Sequence, residues 1–255
     1  MSVYDYYALK GLGFTDVRIA QLLPHISVNV FEPDDVIWSG VPAEHPFCHV
    51  LAGLVSASVR QSSATSSPLD IHTAGAWFGE AAIFDQQPFE YLSLTETRLL
   101  MVPQKDALSI FNSDANFSRY IARMSSWRAQ RNAEMLSLGR LGNPSLCVVF
   151  GLALLAESMT NGSSHLPNTL TKFELKVSVK QSIVAAICGV SRGVFSEQIQ
   201  HLVASGWLKV NYSNITMLRV NGWISFAQGL RKQPLNDSKP AINELIELLE
   251  VAVQA

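Results

Sequence analysis

Apolar residues at helical spacing mark two short stretches in the last third of the chain. They are Ile183, Ala186 and Ile187 in the first stretch and Phe195, Ile199 and Leu202 in the second. Gly189 lies between them and offers a position where a left-handed backbone costs little. Ser178-Val179-Lys180-Gln181 has the form of a capping box, and Ser191 is placed to cap the second helix. The pattern therefore predicts a helix, a tight turn and a second helix.

The second helix ends at Gly206, and two apolar runs beyond it, Trp207–Val210 and Ile215–Val220, predict the strands of a wing. The polar face of such a helix fits the major groove, where side chains near its start reach base edges. The residues we expect to contact DNA are Lys180, Ser191, Arg192, Ser196, Glu197 and Gln200. The alternative is a helical hairpin that serves packing alone.

Between Val28 and Val102 the pattern changes to short apolar runs separated by turn-forming residues. Seven of these runs predict strands: Val28–Phe31, Val36–Trp38, Phe47–Leu51, Leu54–Val59, Leu69–His72, Tyr91–Leu94 and Leu99–Val102. Strands at this density are typical of a sandwich or barrel. A short helix is predicted before them, over residues 14–24. The polar run Gln61–Pro68 is predicted to be a hairpin loop.

Residues 75–84 combine two glycines and a carboxylate just before a short apolar turn. Backbone amides at a glycine-led helix start can hold an anion, and a carboxylate such as Glu80 can hold a sugar hydroxyl. By itself this pattern is also that of an ordinary glycine turn followed by a surface glutamate.

A long helix without proline is predicted from Asp114 to Leu141. Its residues at alternating spacings of four and three form a heptad seam: Phe117, Ile121, Met124, Arg128, Arg131, Met135 and Leu138. Such a seam favours a two-helix coiled coil, and the alternative is a helix that lies on its own barrel. Asn143-Pro144 predicts the cap and first residue of a buried helix. After the wing, helices are predicted over Asn221–Gln233 and Ala241–Val253.

Composition narrows the class of protein. The chain has 255 residues and no apolar run long enough to span a membrane, and we expect neither export nor a membrane anchor. Cys48, Cys147 and Cys188 lie far apart and match no zinc or iron–sulfur spacing, so we expect buried thiols. Residues 171–223 hold 6 basic and 2 acidic side chains, a net charge of +4, whereas residues 1–110 hold 5 and 12. The positive charge thus lies on the predicted DNA-binding segment.

The order of these parts resembles the bacterial Crp/Fnr transcription regulators, the family of the cyclic AMP receptor protein. The resemblance covers roughly residues 20–222 and is most specific at Gly75–Phe84 and at Gly189-Val190-Ser191-Arg192. It implies an α+β chain in four parts. These are a β-barrel (jelly roll) sensor domain of the cyclic-nucleotide-binding type over 1–113, a dimerisation helix over 114–141, a winged helix-turn-helix DNA-binding domain over 142–223, and a helical extension over 224–255.

The resemblance also bears on the effector. Gly79 and Glu80 match the positions that hold the ribose and help the phosphate in cyclic-nucleotide binders. The arginine and hydroxyl residue that such binders use for the cyclic phosphate fall on Glu90 and Tyr91, and a carboxylate there repels a phosphate. The base-contacting pair falls on Asn132 and Ala133. We therefore expect cyclic AMP not to be the effector, and we expect no iron–sulfur cluster.

Two arginines in the seam, Arg128 and Arg131, form a separate hypothesis. They could hold an anionic ligand, pair with Glu90, or face water. The predicted effector-binding set is Gly79, Glu80, Glu90, Tyr91, Arg128, Arg131 and Asn132. Four histidines are candidate haem ligands by residue type alone: His25, His45, His49 and His72.

The sequence shows no nucleophile and base pairing, no phosphate loop and no metal spacing, so we expect no catalytic and no metal site. We predict a cytoplasmic homodimer that joins through residues 114–141, binds a palindromic operator in double-stranded DNA and responds to an unknown effector other than cyclic AMP. The resemblance implies RNA polymerase as a further partner. Two alternatives remain: a family member that acts without an effector, and a module whose helix-turn-helix contacts protein.

Overall fold

The computed structural model describes residues 3–38, 45–60, 66–84, 89–161, 174–211, 214–233 and 239–254. The chain forms two compact units. The first is built mainly on Met1–Ala129, and the second on Gln130–Thr160 and Asn168–Ala255. The long helix α5, Ala115–Leu141, contributes to both. No helix in the described part of the chain is long and apolar enough to cross a membrane.

The first unit contains two four-stranded antiparallel sheets. Their strand orders are β1-β8-β3-β6 and β2-β7-β4-β5. The strands are β1 Ser27–Phe31, β2 Val36–Trp38, β3 Phe47–Ala52, β4 Leu54–Arg60, β5 Ser66–Thr73, β6 Trp77–Phe78, β7 Phe89–Ser93 and β8 Thr97–Val102. All seven predicted strands are confirmed within a few residues, and β6 was not predicted. Most of the predicted hairpin loop lies outside the described residues.

Five helices accompany these sheets. They are α1 Val3–Gly11, α2 Asp16–Leu22, α3 Glu80–Ile83, α4 Gln104–Ser113 and the first part of α5. The prediction of a helix over residues 14–24 is confirmed by α2, where Thr15 accepts a hydrogen bond from the amide of Arg18. Helices α1 and α4 were not predicted from the sequence. Helix α4 begins directly after Pro103 and buries Ala107 and Ile110, a pair at helical spacing.

Two apolar cores lie on opposite sides of the sheet β1-β8-β3-β6. The inter-sheet core includes Trp38, Cys48, Phe78 and Tyr91. The helix-side core includes Phe47, Trp77 and Leu100 together with residues of α1, α2, α4 and α5. Successive residues of a strand point to opposite faces, which is why Phe47 and Cys48 enter different cores.

The first residues of the predicted seam on α5 pack inside the first unit and do not face a second copy of the helix. Phe117 and Ile121 are each 1% exposed and belong to the helix-side core, and Met124 packs against it. The interpretation of this seam as the contact between two helices is therefore wrong at these positions. The alternative applies to them: this part of the helix lies on its own β structure. Burial of an apolar side chain is favourable against any core, including the core of the same chain.

The second unit continues with the buried helix α6, Pro144–Asn161, which is capped as predicted: Asn143 Oδ1 accepts from the amide of Leu146 at 3.0 Å. The remaining elements are β9 Glu174–Val177, α7 Gln181–Ile187, α8 Arg192–Ala204, β10 Leu208–Asn211, β11 Asn214–Leu218, α9 Val220–Lys232 and α10 Ile242–Gln254. The strands form one antiparallel sheet in the order β10-β11-β9, in which β9 was not predicted.

The predicted helix, turn and helix is confirmed, with one correction at its start. Helix α7 is preceded by Lys180, and no side chain caps it, so the predicted capping box is wrong. The chain enters from β9 in an extended form, and the helix starts two residues later than the Ser178 cap requires. The buried residues of α7 are Val184, Ala185 and Ile187. Gly189 adopts a left-handed φ of 70°, as the tight turn requires.

Helices α9 and α10 complete the core of the second unit. Trp207 and Trp223 are fully buried and meet edge to face, with ring centroids 5.5 Å apart. Leu245 and Leu249 of α10 are also fully buried, and α10 packs on α9 and α8. Both predicted C-terminal helices are thus confirmed, and the last one covers α9 together with α8 of the helix-turn-helix.

Candidate nucleic-acid interface and effector site

Helix α8 is held in place by its buried face and by two polar contacts. Phe195, Ile199 and Leu202 are at most 1% exposed, as predicted. Ser191 Oγ accepts a hydrogen bond from the amide of Val194 at 3.3 Å, which caps the helix. Ser145 at the start of α6 donates to Gln198 Oε1 at 2.7 Å. These contacts fix the helix and leave its opposite face in solvent.

The open face of α8 carries most of the predicted DNA-binding residues. On α8 itself, Arg192, Glu197 and Gln200 are exposed and Ser196 is half-buried. The other two predicted residues are exposed but lie outside this helix: Ser191 caps α8, and Lys180 precedes α7. Arg192 is the first residue of the helix, where the next residue, Gly193, adds no side chain and leaves open space. A guanidinium in this position can form two hydrogen bonds with the O6 and N7 atoms of guanine.

In the first unit, Gly79 and Glu80 form the turn that leads into α3. Gly79 has a φ of 90°, and a Cβ there would lie 2.9 Å from both the Pro46 carbonyl oxygen and the Trp38 ring. The Trp38 ring therefore lies directly against the Gly79 backbone. The space in the Cβ direction of Gly79 is occupied by this indole.

Glu80 forms a mostly buried ion pair with Arg128 of α5, in which the side chains are 13% and 18% exposed. Arg128 Nη2 also donates to the Trp77 carbonyl oxygen at 2.5 Å. Burial raises the pKa of Glu80, but the charge of Arg128 and its hydrogen bond outweigh burial, so the pKa lies below its ordinary value. Burial alone would lower the pKa of Arg128, whereas Glu80 raises it above the usual range. Both groups are therefore charged at neutral pH.

This ion pair corrects one of the sequence hypotheses. Arg128 pairs with Glu80, a partner that the sequence had not suggested. Arg131 is 5% exposed and donates to Ser158 Oγ at 3.2 Å in the second unit, while Asn132 is exposed. The structure thus brings Gly79, Glu80 and Arg128 together and places Arg131 and Asn132 in the other unit.

Tyr91 fills the inter-sheet core beside the turn. Its ring lies 4.6 Å from that of Trp38 and 4.8 Å from that of Phe78. Burial, followed by the charge of Glu80, raises the pKa of Tyr91, so the phenol stays neutral. Because side chains alternate along a strand, Glu90 lies on the other face of β7. Glu90 therefore does not face this core.

Each of the four histidines that were candidate haem ligands contacts another side chain of the first unit. His25 Nδ1 lies 3.1 Å from Asp106 Oδ1. The other three contact aromatic rings: His45 stacks on Trp38, His49 lies against Trp77, and His72 stacks on Phe78. Among the described residues, no group of three or more His, Cys, Asp or Glu side chains is placed to hold a metal ion. The three cysteines are buried and free, and burial raises the pKa of each thiol.

Residues 28–114 match the family model of the cyclic nucleotide-binding domain. No curated protein sequence gives a significant match. Among solved structures, a CRP/FNR family transcriptional regulator from Thermus thermophilus is 22% identical. That likeness covers 79% of this chain and 98% of the regulator, with a TM-score of 0.56.

Two further structures are similar over most of the chain. FixK2 from Bradyrhizobium japonicum is 15% identical, and the likeness covers 83% of this chain and 98% of FixK2, with a TM-score of 0.62. A CooA mutant from Carboxydothermus hydrogenoformans is 13% identical, and the likeness covers 95% of both chains, with a TM-score of 0.63. The chain has the Crp/Fnr fold.

Two features within this Crp/Fnr fold were not predicted from the sequence. Trp38 lies over Gly79, although the two residues are far apart in the chain. Arg231 joins Glu134 and Glu157 through hydrogen bonds in the second unit. Neither feature has a local sequence signal, because each depends on elements that meet through tertiary packing.

Proposed function

We propose that the chain is a DNA-binding transcription regulator that acts in the cytoplasm as a homodimer and binds a palindromic operator. The observation that carries this proposal is the open face of α8, which presents Arg192 and Gln200 while its other face is fixed by packing. Two such helices related by a two-fold axis would enter successive major grooves about one helical turn apart. RNA polymerase is the partner through which such a regulator would act.

The homodimer contact that we propose uses a different face of α5 from the seam predicted above. Exposed, mostly small side chains recur there at alternating spacings of four and three: Ala122, Ser126, Ala129, Ala133 and Leu136. Leu136 is 67% exposed and adds a large apolar side chain to this face. A repeat of about 3.5 residues supports a left-handed supercoil with a second copy, and small side chains let the two helices approach closely.

A second candidate is a regulator that binds DNA without an effector. The surroundings of Gly79 and Glu80 favour this candidate. The Trp38 ring lies against Gly79, and the Glu80 carboxylate is paired with Arg128. A nucleotide would have to displace an indole and break a buried ion pair. Removing one partner from such a pair costs about 3–5 kcal/mol, which a weakly held ligand does not offset.

Fluorescence anisotropy with random-sequence duplex DNA tests the proposal in its simplest form. We expect binding whose affinity falls steeply between low and moderate salt, because bound lysines and arginines release counterions from the phosphates. Cyclic AMP should leave the affinity unchanged if the second candidate is right. Absence of salt-dependent binding would favour the alternative in which the helix-turn-helix contacts protein.

A further inference from the structure

Arg231, in the last turn of α9, holds two carboxylates at once. Its Nε and Nη2 donate to Glu134 at 2.9 and 3.1 Å. Its Nη1 and Nη2 donate to Glu157 at 2.8 Å each. Paired hydrogen bonds of this kind fix orientation as well as distance, because the guanidinium is planar. The Glu157 side chain is 6% exposed and the Glu134 side chain 18% exposed, so solvent screens the cluster poorly.

The two carboxylates lie on either side of a joint in the chain. Glu134 belongs to α5 and Glu157 to α6, and Gly142 connects the two helices with a left-handed φ of 64°. A Cβ at Gly142 would meet no atom within 4 Å, so the space beside this residue is open. The next residue, Asn143, is buried and donates to the Pro240 carbonyl oxygen at 3.0 Å. Arg231 therefore ties the two helices together from outside the joint.

The other end of the C-terminal segment is tied to the wing. Arg219, which directly precedes α9, donates to both carboxylate oxygens of Glu250 at 2.7 Å. Glu250 Oε1 also accepts from Trp207 Nε1 at 2.9 Å. Helix α10 packs on α8 through this region, with Leu245 and Leu249 buried. Helices α9 and α10 thus connect α5 and α6 at one end with α8 and the wing at the other.

We propose that Arg231 is a positioning residue, and that α9 and α10 form a brace that sets the orientation of α8 relative to the C-terminal half of α5. This inference rests on the proposed function, because it matters for DNA reading only if α5 joins two copies. In a dimer, that orientation fixes the separation between the two α8 helices. The brace would then determine which half-site spacing the dimer accepts.

Glu134→Ala tests the brace without leaving a buried charge unpaired. The substitution cuts the link to α5, while Arg231 keeps Glu157 as its partner, and alanine maintains the helix. Glu134→Gln keeps one acceptor oxygen and should have an intermediate effect. Glu247→Ala is the matched control, because Glu247 is exposed on α10.

The first readout is amide hydrogen exchange around Gly142, which does not require DNA. We expect faster exchange over residues 139–146 in Glu134→Ala and no change in Glu247→Ala. Equal exchange in Glu134→Ala and the unaltered protein would overturn the brace, whatever the protein does with DNA.

The second readout uses the operator selected by the unaltered protein and a set of duplexes in which the half-site spacing changes by one or two base pairs. We expect Glu134→Ala to bind the selected operator about tenfold more weakly, because less of the protein is in the competent orientation. It should also discriminate less between spacings. Unchanged affinity and spacing preference would refute the role of the brace in DNA reading. If the unaltered protein binds no DNA, the proposed function fails, and the exchange result still decides whether the link restrains the joint.

Discussion

At the scale of single residues, Arg192 is the side chain whose role is most sharply defined by position. It opens α8, is exposed, and has a capped and packed helix behind it. Arg192→Ala should weaken binding to the selected operator by about 1–3 kcal/mol and relax the base preference at one position in each half-site. Binding measurements on single-base operator variants test this.

Lys105→Ala is the control for that experiment, since it removes an exposed positive charge from the first unit. It should leave specific binding unchanged. An Arg192→Ala protein that keeps the full base preference of the unaltered protein would exclude Arg192 from base reading.

The ion pair of Glu80 and Arg128 leads to a pH-dependence prediction. The pKa of Glu80 is lowered in the folded protein relative to about 4.3 in the unfolded chain, so the pair stabilises the fold above that pH. This stabilisation is lost as the pH falls through the folded pKa. The midpoint of thermal unfolding between pH 7 and pH 3 should therefore fall less steeply for Glu80→Gln with Arg128→Met than for the unaltered protein.

The single substitution Glu80→Gln should be worse than the double one. It leaves the Arg128 charge buried without its partner, at a cost of about 3–5 kcal/mol in the free energy of unfolding. Glu96→Gln, at an exposed position of the same unit, should cost little. Equal stability of the Glu80→Gln and Glu96→Gln proteins by urea unfolding would show that the buried pair contributes nothing.

At the scale of elements, α5 shows where sequence patterns suffice and where they fail. The pattern predicted the helix within one residue, from Asp114 against the observed start at Ala115. It misassigned the face, because Phe117 and Ile121 look alike whether they meet a second copy or the chain's own core. Only the tertiary structure shows that the other stripe, around Ala129, remains exposed.

The exposed stripe of α5 predicts the effect of a charge at its centre. Ala129→Glu should convert the dimer to a monomer, because two copies of the substitution place carboxylates opposite each other in a close contact. Light scattering coupled to size-exclusion chromatography should then give half the mass of the unaltered protein. Arg123→Glu, exposed on α5 outside the stripe, should leave the mass unchanged. A dimeric Ala129→Glu protein would place the contact elsewhere.

Helix α10 allows a matched pair of substitutions. Leu245 is fully buried and Leu248 is 37% exposed. Leu245→Ala should lower the free energy of unfolding by about 2–5 kcal/mol, through lost burial and a cavity. Leu248→Ala should change it far less. Urea titration of both proteins shows whether α10 contributes to the stability of the fold. Similar unfolding midpoints for the two variants would contradict the place of α10 in the core.

At the scale of the whole molecule, the sequence predicted the order and class of the parts better than their connections. Local periodicity of apolar residues was sufficient to predict most of the strands, the helix-turn-helix and the two C-terminal helices. The contacts of Trp38 with Gly79, and of Arg231 with Glu134 and Glu157, join segments far apart in sequence. Such contacts depend on how elements meet, which local patterns do not encode.

These connections also bear on regulation. In the first unit, the turn at Gly79 is covered by Trp38, and Glu80 is held by Arg128. In the second, α9 and α10 hold α8 to the structure that precedes it. The arrangement around Gly79 and Glu80 is the observation behind the second candidate function that we propose, DNA binding without an effector.

Selection of DNA from a random-sequence pool by the purified, effector-free protein tests the proposed function most directly. We expect enrichment of a two-fold symmetric motif whose half-sites are centred about one helical turn apart. The Arg192→Ala protein should lose the preference at one base pair of each half-site. A pool with no enriched motif would contradict DNA reading by the effector-free protein, and an enriched motif without two-fold symmetry would contradict the homodimer.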